Sequence, residues 1–252
     1  MNEIGKNYNL INFLIKECNF KSYLEIGVRG FKTFDMIDCN KKVCVDPQPH
    51  GERNGIGVKT IIKTSDQYFK ELKQSNEKFD LIFIDGDHSF SQVKKDLEYA
   101  LKHITARGLI VMHDMDPPDR HFQGNGPLPR SWKKHPMGEC WRAMVSRRII
   151  EGDIEVITIQ FGDVETGLTI VKKGNDKSLQ KFIKEAKCWN DGPGDYWDFL
   201  KSNREELLNV YPIEVFNKKI KNFINIKNEL VPDWTLIGSP NERRKKYESL
   251  FK

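Results

Sequence analysis

What the chain lacks narrows its class first. Its 252 residues hold five cysteines, Cys18, Cys39, Cys44, Cys140 and Cys188, with no CxxC pair among them. An odd number without metal-ligand spacing argues against a disulfide frame or a zinc site and for reduced thiols. No apolar run approaches the roughly 20 residues of a membrane span. The opening "MNEIGKNYNLINFLIKECNF" has neither the basic start nor the continuous apolar stretch of a signal peptide. The expectation is a cytoplasmic protein with no membrane span. A formal net charge of +5 is a mild bias on a chain of this length. No RNP motif, zinc-finger spacing or strongly basic helix accompanies it, so it permits an acidic ligand and gives no reason to expect nucleic acid. Internal repeats and low-complexity tracts are also missing.

What remains is an ordinary globular composition, 38% hydrophobic and 31% charged, long enough for one sizeable domain or a domain with an extension. Leu10, Ile11, Phe13, Leu14 and Ile15 give residues 7–18 an amphipathic helical pattern. "YLEIGV" (23–28), "KVCVD" (42–46), "VKTIIK" (58–63), "FDLIFI" (79–84) and "GLIVMHD" (108–114) read as strands. Helical patterns fall between them: a short one at 32–39, one at 65–75 with Ser65 or Asp66 as cap, and a long one at 89–104. Strands that are nearly continuous apolar runs, alternating with helices, indicate a doubly wound parallel α/β sheet covered on both faces. Residues 139–152 resume as a helix, and "IEVITIQF" with "GLTIVKK" reads as a terminal antiparallel hairpin. After Gly174 strand patterns fade and charged helical segments take over. The chain thus divides into an α/β domain over 1–174 and a helical C-terminal extension over 175–252.

Chemistry gathers at strand ends. The first strand closes on "LEIGVRGFKT", a Glu25-x-Gly27-x-x-Gly30 pattern. Glycines there let the backbone turn tightly and approach a ligand. A dinucleotide fingerprint would have a glycine where Glu25 stands; a carboxylate repels a diphosphate and favours a cationic ligand. Asp46 follows 21 residues after Glu25, where an acid accepts hydrogen bonds from ribose hydroxyls, although it would also serve as a plain strand cap before Pro47. Together they suit a positively charged nucleoside without phosphate. The fourth strand runs into Asp85, Gly86, Asp87 and His88. Buried charge is costly unless paired, metal-bound or used. Acids at a helix start complement its dipole, whereas a histidine there is acceptable when neutral, the form that acts as a base. His113 and Asp114 end the fifth strand, where a simple hydrogen-bonded pair is the plainer reading.

In order and spacing, "YLEIGVRG", "VCVDP", "FDLIFIDGDHSFSQVKKDLEYALKHI" and "RGLIVMHD" resemble class I S-adenosylmethionine-dependent methyltransferases. The nearest subgroup methylates hydroxyls of sugars and glycosylated small molecules, macrolide sugar O-methyltransferases included. The resemblance spans about residues 20 to 173. It implies a seven-stranded sheet in the order 3-2-1-4-5-7-6 with the seventh strand antiparallel. It also implies S-adenosylmethionine as cofactor, held by Glu25, Gly27, Gly30, Asp46, Ser65, Asp66 and Asp85. Ser65 and Asp66 would lie near the adenine, Asp85 at the methyl-transfer centre, and His88 would be the general base. Metal-dependent relatives carry an acidic pair where this chain has His113 and Asp114. Asp85 and Asp114 still offer oxygens to Mg²⁺, while His113 is a softer ligand better matched to Mn²⁺ or Zn²⁺.

The implied acceptor is a small molecule or glycan, and a homo-oligomer stays open. The Pro- and Gly-rich stretch 115–138, with Arg120, His121, Trp132 and His135, suits a sugar's apolar face and hydroxyls, whereas Trp141 and Trp189 read as packing residues. Two other functions compete: a non-catalytic cofactor-binding or assembly module on the same fold, and a nicotinamide-dependent oxidoreductase, against which Glu25 argues.

Overall fold

The structure is a computed structural model describing residues 7–73, 75–118, 120–122, 137–160, 167–189 and 196–225. Strands β1 (Ser22–Ile26), β2 (Lys41–Val45), β3 (Val58–Ile61), β4 (Phe79–Ile84), β5 (Ile104–Met112), β6 (Ile154–Gln160), β7 (Leu168–Lys173) and β8 (Val210–Pro212) form one sheet. Its order is β3-β2-β1-β4-β5-β7-β6-β8. The first five strands are parallel, and β7 is antiparallel to both β5 and β6. The order inferred from the sequence therefore holds, with one addition. β8 pairs parallel with β6 and makes an eighth strand from the segment expected to be purely helical.

Helices α1 (Asn7–Glu17), α2 (Ser65–Leu72), α3 (Phe90–His103), α4 (Cys140–Ile150), α5 (Ile183–Ala186), α6 (Trp197–Leu208) and α7 (Ile213–Phe223) cover both faces. One core packs Leu24, Ile82, Val93, Leu97, Trp141 and Leu208. The other packs Leu10, Ile11, Phe31, Phe83, Phe216 and Ile220. Strands alternate residues between faces, so each continuous apolar run feeds both cores. The two tryptophans expected to pack do so: Trp141 is fully buried and meets Trp189 edge-on at 5.7 Å.

Boundaries moved where local chemistry outweighed the pattern. α2 is capped by Thr64 rather than Ser65 or Asp66: Gln67 N donates to Thr64 Oγ1, and Thr64 N donates to Gln67 Oε1. That reciprocal pair is a capping box, readable in "TSDQ". β5 begins at Ile104, where α3 ends, and not at Gly108; the pairing jumps from Phe79–Ile104 to Leu81–Leu109, a bulge that absorbs the intervening residues. Residues 34–36 make a 3-10 turn instead of a longer helix. α6 starts at Trp197, upstream of the expected Ser202 or Asn203.

The segment after Gly174 is stapled to the sheet. Arg148 on α4, 4% exposed, donates to the Glu206 and Leu207 carbonyls at the end of α6 and to Asp176 Oδ2. Those carbonyls have no intrahelical donor of their own. Arg148→Ala is expected to cost about 2 kcal/mol, because buried acceptors lose a charged donor, and to lower the urea midpoint accordingly. An unchanged midpoint would show that this staple contributes nothing.

Among the described residues, no helix is long and apolar enough to cross a membrane.

Candidate active site

The last rungs of the parallel ladder set out the site. Asp46 N donates to Ile61 O, Gly27 N to Val45 O, Asp85 N to Ile26 O, and His113 N to Ile84 O. Each of these residues is the first beyond its strand, or adjoins that position, and each is hydrogen-bonded to the end of the neighbouring strand. The ladder thus lines up Asp46, Gly27, Asp85 and His113 along the carboxyl edge, at the switch point between β1 and β4 where open α/β sheets bind ligands.

Gly27 has φ +85°, and a Cβ there would sit 2.2 Å from the Asp85 carbonyl oxygen. The β1 and β4 loops touch through this missing side chain. Gly30 is exposed, with open space where a Cβ would be. Asp46 is buried and organises the turn: its Oδ2 accepts from Val28 N and Arg29 N, and its Oδ1 from Gln48 N. A carboxylate offers about four acceptor positions, so one is left for a ligand hydroxyl.

Glu25 lies one residue inside β1, 2% exposed, and its Oε2 accepts from the Tyr23 hydroxyl at 2.6 Å. Burial pushes its carboxyl up to about 8; the Tyr23 hydrogen bond and Lys42 pull it down, and the nearby charge of Asp85 pushes it further up. Lys42 shares this face, and its Nζ donates to the Phe34 and Ile37 carbonyls.

Beyond β4 and β5 lies a cluster of two acids and two histidines. His113 Nδ1 is 3.2 Å from both Asp85 Oδ1 and Asp114 Oδ1. His88 Nε2 is 3.4 Å from Asp114 Oδ2 and 3.8 Å from Asp85 Oδ1. Burial disfavours charge on His113, but the Asp85 carboxylate and the bonds to both acids outweigh it and raise the imidazole to about 10. Burial likewise works against ionised Asp85, and His113 and His88 outweigh it, holding the carboxyl at about 2. Asp114 adopts a left-handed backbone, φ +59°, a conformation that Asp takes more readily than most L residues. One ligand atom each from Asp85, His113 and Asp114 lies within 4.8 Å of the others. The two acids offer hard oxygens that suit a divalent ion such as Mg²⁺ or Mn²⁺, and His113, protonated between them, would have to release a proton before adding its nitrogen.

Ser65 and Asp66 sit at the start of α2, joined to α3. Gln92 Nε2 donates to Ser65 Oγ and Asp96 Oδ1 at 3.0 Å, and Lys95 Nζ to Asp66 Oδ2 at 3.2 Å. In the stretch expected to meet substrate, Arg120 pairs with Asp198 at an exposed contact. Trp132 and His135, and the side chain of His121, lie outside the described residues. The cleft of about 460 Å³ lined by Glu98, Lys102, Arg147 and Glu151 lies at the C-terminal ends of α3 and α4, away from these acids.

Sequence reasoning missed Gly138 and Glu139, which hold the backbone of His88 (Glu139 N to His88 O, 2.8 Å). It also missed the pairing of half-buried Arg204 with buried Asp116, which ties α6 to the segment after β5. An acid just before a helix reads as that helix's own cap, which concealed the role of Glu139.

Residues 24–115 match a family model described as a methyltransferase domain. No curated protein matches the chain. An O-methyltransferase from Bacillus cereus, solved with SAH, aligns with TM-score 0.50 at 15% identity over 66% of this chain and 80% of that one. TomG from Streptomyces achromogenes, an O-methyltransferase of tomaymycin synthesis solved with SAM, aligns at 0.48 and 14% identity over 68% and 82%. The mycinamycin-pathway methyltransferase MycE, solved with Mg, SAH and mycinamycin VI, aligns at 0.44 and 17% over 66% and 48%. The Bacillus cereus likeness is one of fold. With the strand order, it gives this chain the fold of that O-methyltransferase structure, and the family match covers residues 24–115 within it.

Proposed function

We propose that the protein is an S-adenosylmethionine-dependent O-methyltransferase acting on a hydroxyl of a sugar, glycan or glycosylated small molecule, with His88 as general base and a divalent ion assisting. The observation that carries this reading is the row of Asp46, Gly27, Asp85 and His113 along one edge, with His88 Nε2 within 3.8 Å of two carboxylates beside it. The acceptor class rests on the resemblance of the sequence motifs to sugar O-methyltransferases.

The residues present suit the cofactor. Asp46 keeps an acceptor for a ribose hydroxyl, Gly30 leaves its side open, Asp85 offers negative charge to a sulfonium nucleoside, and a cation bound beside the neutral Glu25 carboxyl would favour its ionisation. When bound, S-adenosylmethionine supplies an electrophilic methyl group. A divalent ion held by Asp85, Asp114 and His113 would make a coordinated hydroxyl more acidic.

The chain's own contribution is positioning and proton transfer. His88 would take the proton of the acceptor hydroxyl as that oxygen is methylated. The ring nitrogen that faces the acids is Nε2, 3.4 Å from Asp114 Oδ2, and in the metal-free site that carboxylate would stabilise positive charge arriving there. Such general-base help is worth about 100- to 10,000-fold.

Titration with S-adenosylmethionine tests the first step, and labelled methyl transfer to a panel of methyl glycosides, glycolipids and small phenols tests the second. His88→Ala is expected to lower kcat by about 100-fold or more while cofactor affinity holds. Absence of cofactor binding at millimolar concentration sinks the assignment, unchanged turnover removes His88 from it, and activity surviving exhaustive chelation removes the metal.

A further inference from the structure

His88 is held from outside its own strand and helix. Glu139 N donates to His88 O at 2.8 Å, and Phe90 N donates to Glu139 Oε2 at 3.0 Å, so one residue brackets Ser89 from both sides. Gly138, φ +60°, lies against the same residue: a Cβ there would fall 2.5 Å from both the Cβ and the carbonyl oxygen of His88. The lead-in to α4 thus rests on the atom from which the imidazole projects.

The chemistry of the contact is not that of a simple surface cap. Ser89, the N-cap residue of α3, makes no side-chain capping bond. The first amides of a helix need outside acceptors, and an anion there complements the dipole. Glu139 supplies both, to a helix that is not its own. It is 4% exposed and forms an ion pair with Arg142, 1% exposed. The Arg142 guanidinium lies 4.2 Å from the Tyr196 ring centroid and 5.3 Å from that of Phe90. A buried ion pair is a poor route to stability, since apolar replacements often match it. Its arrangement here is better explained by what it holds.

We propose that Glu139, charge-balanced by Arg142, is a positioning residue that fixes the His88 imidazole against Asp85 and Asp114. The acids meet the ring at its tip, and Glu139 holds it from the backbone. This rests on the reading of His88 as the base, and a small displacement of such a group can cost about 100-fold in rate.

The test uses full-length protein with ¹⁵N-labelled histidine, comparing wild type, Glu139→Gln, Glu139→Ala and the double variant Glu139→Ala/Arg142→Met. The amide of Glu139→Gln still accepts from Phe90 N, so its His88 ring signal is expected to stay single and sharp, as in wild type. Glu139→Ala is expected to split or broaden that signal. The double variant removes the stranded arginine and is expected to recover the thermal midpoint without recovering the His88 signal. With methyl glycosides as acceptors, kcat falls about 100-fold in both Glu139→Ala variants while KM for S-adenosylmethionine stays within about threefold.

A double variant that regains the His88 signal and kcat together with its midpoint overturns the proposal, as does a wild-type His88 signal in Glu139→Ala. If wild type transfers no methyl group but both Glu139→Ala variants lose the sharp signal while Glu139→Gln keeps it, the assigned reaction fails and the positioning role stands.

Discussion

Gly27→Ala is expected to lower the unfolding free energy by about 3 kcal/mol and to abolish S-adenosylmethionine binding. Two independent costs meet at this position. A left-handed φ of +85° strains any L side chain, by about 1 kcal/mol for a single residue. The new methyl would also fall 2.2 Å from the Asp85 carbonyl oxygen, a contact relieved only by prising the β1 and β4 loops apart. That movement breaks the bond from Asp85 N to Ile26 O and shifts Asp85 relative to Asp46, so stability and binding should fail together. Denaturant melts and calorimetric titration check the pair. Alanine tolerated with less than about 1 kcal/mol lost would mean the loops are not in this contact. Gly30→Ala is the matched control for stability, because open space awaits its Cβ.

The same contact explains how much could be read in advance. "LEIGVRG" marked Gly27 as a place where backbone turns tightly and approaches a ligand, and the close neighbour in the structure is the β4 loop, 58 residues away from Gly27 by number. Local patterns report that a side chain is excluded, not what excludes it. The parallel core was legible because strands buried on both faces are apolar at every position. β8 was not: three residues, one of them Pro212, carry no period, and their pairing with Thr158, Ile159 and Gln160 is fixed by where α6 ends. Asp85, His88, His113 and Asp114 drew notice because charge at the end of an apolar strand is conspicuous, and the structure brings the four together. Glu139 and Arg204 were hidden on helical segments whose charged faces look solvated, although Glu139 and the Arg204 partner Asp116 are both buried.

Glu25→Gln is expected to stabilise the free protein at neutral pH and to weaken its hold on a cationic nucleoside, which separates a structural acid from a functional one. The carboxyl is raised from 4.5 to about 8, chiefly by burial. A carboxyl raised in the folded state contributes stability below its unfolded value and loses it as pH climbs toward the folded one. Between about pH 4.5 and pH 8, keeping Glu25 folded therefore becomes progressively more costly. At roughly 1.4 kcal/mol per pH unit, the deficit reaches on the order of 3 kcal/mol at pH 7. Glutamine carries no charge to bury, and its oxygen can still accept from the Tyr23 hydroxyl. The groups that set this balance are Asp85 and Asp35, which raise the carboxyl, and Tyr23 and Lys42, which lower it. The gain from Glu25→Gln should thus appear above pH 5, grow to pH 8 and vanish below pH 4.5, which denaturant melts across that range can measure. If Glu25 also offers its charge to the cofactor, affinity for S-adenosylmethionine falls in the same variant that melts later. A variant that gains stability and keeps its affinity would leave Glu25 as a buried partner of Tyr23 and remove it from the cofactor cradle.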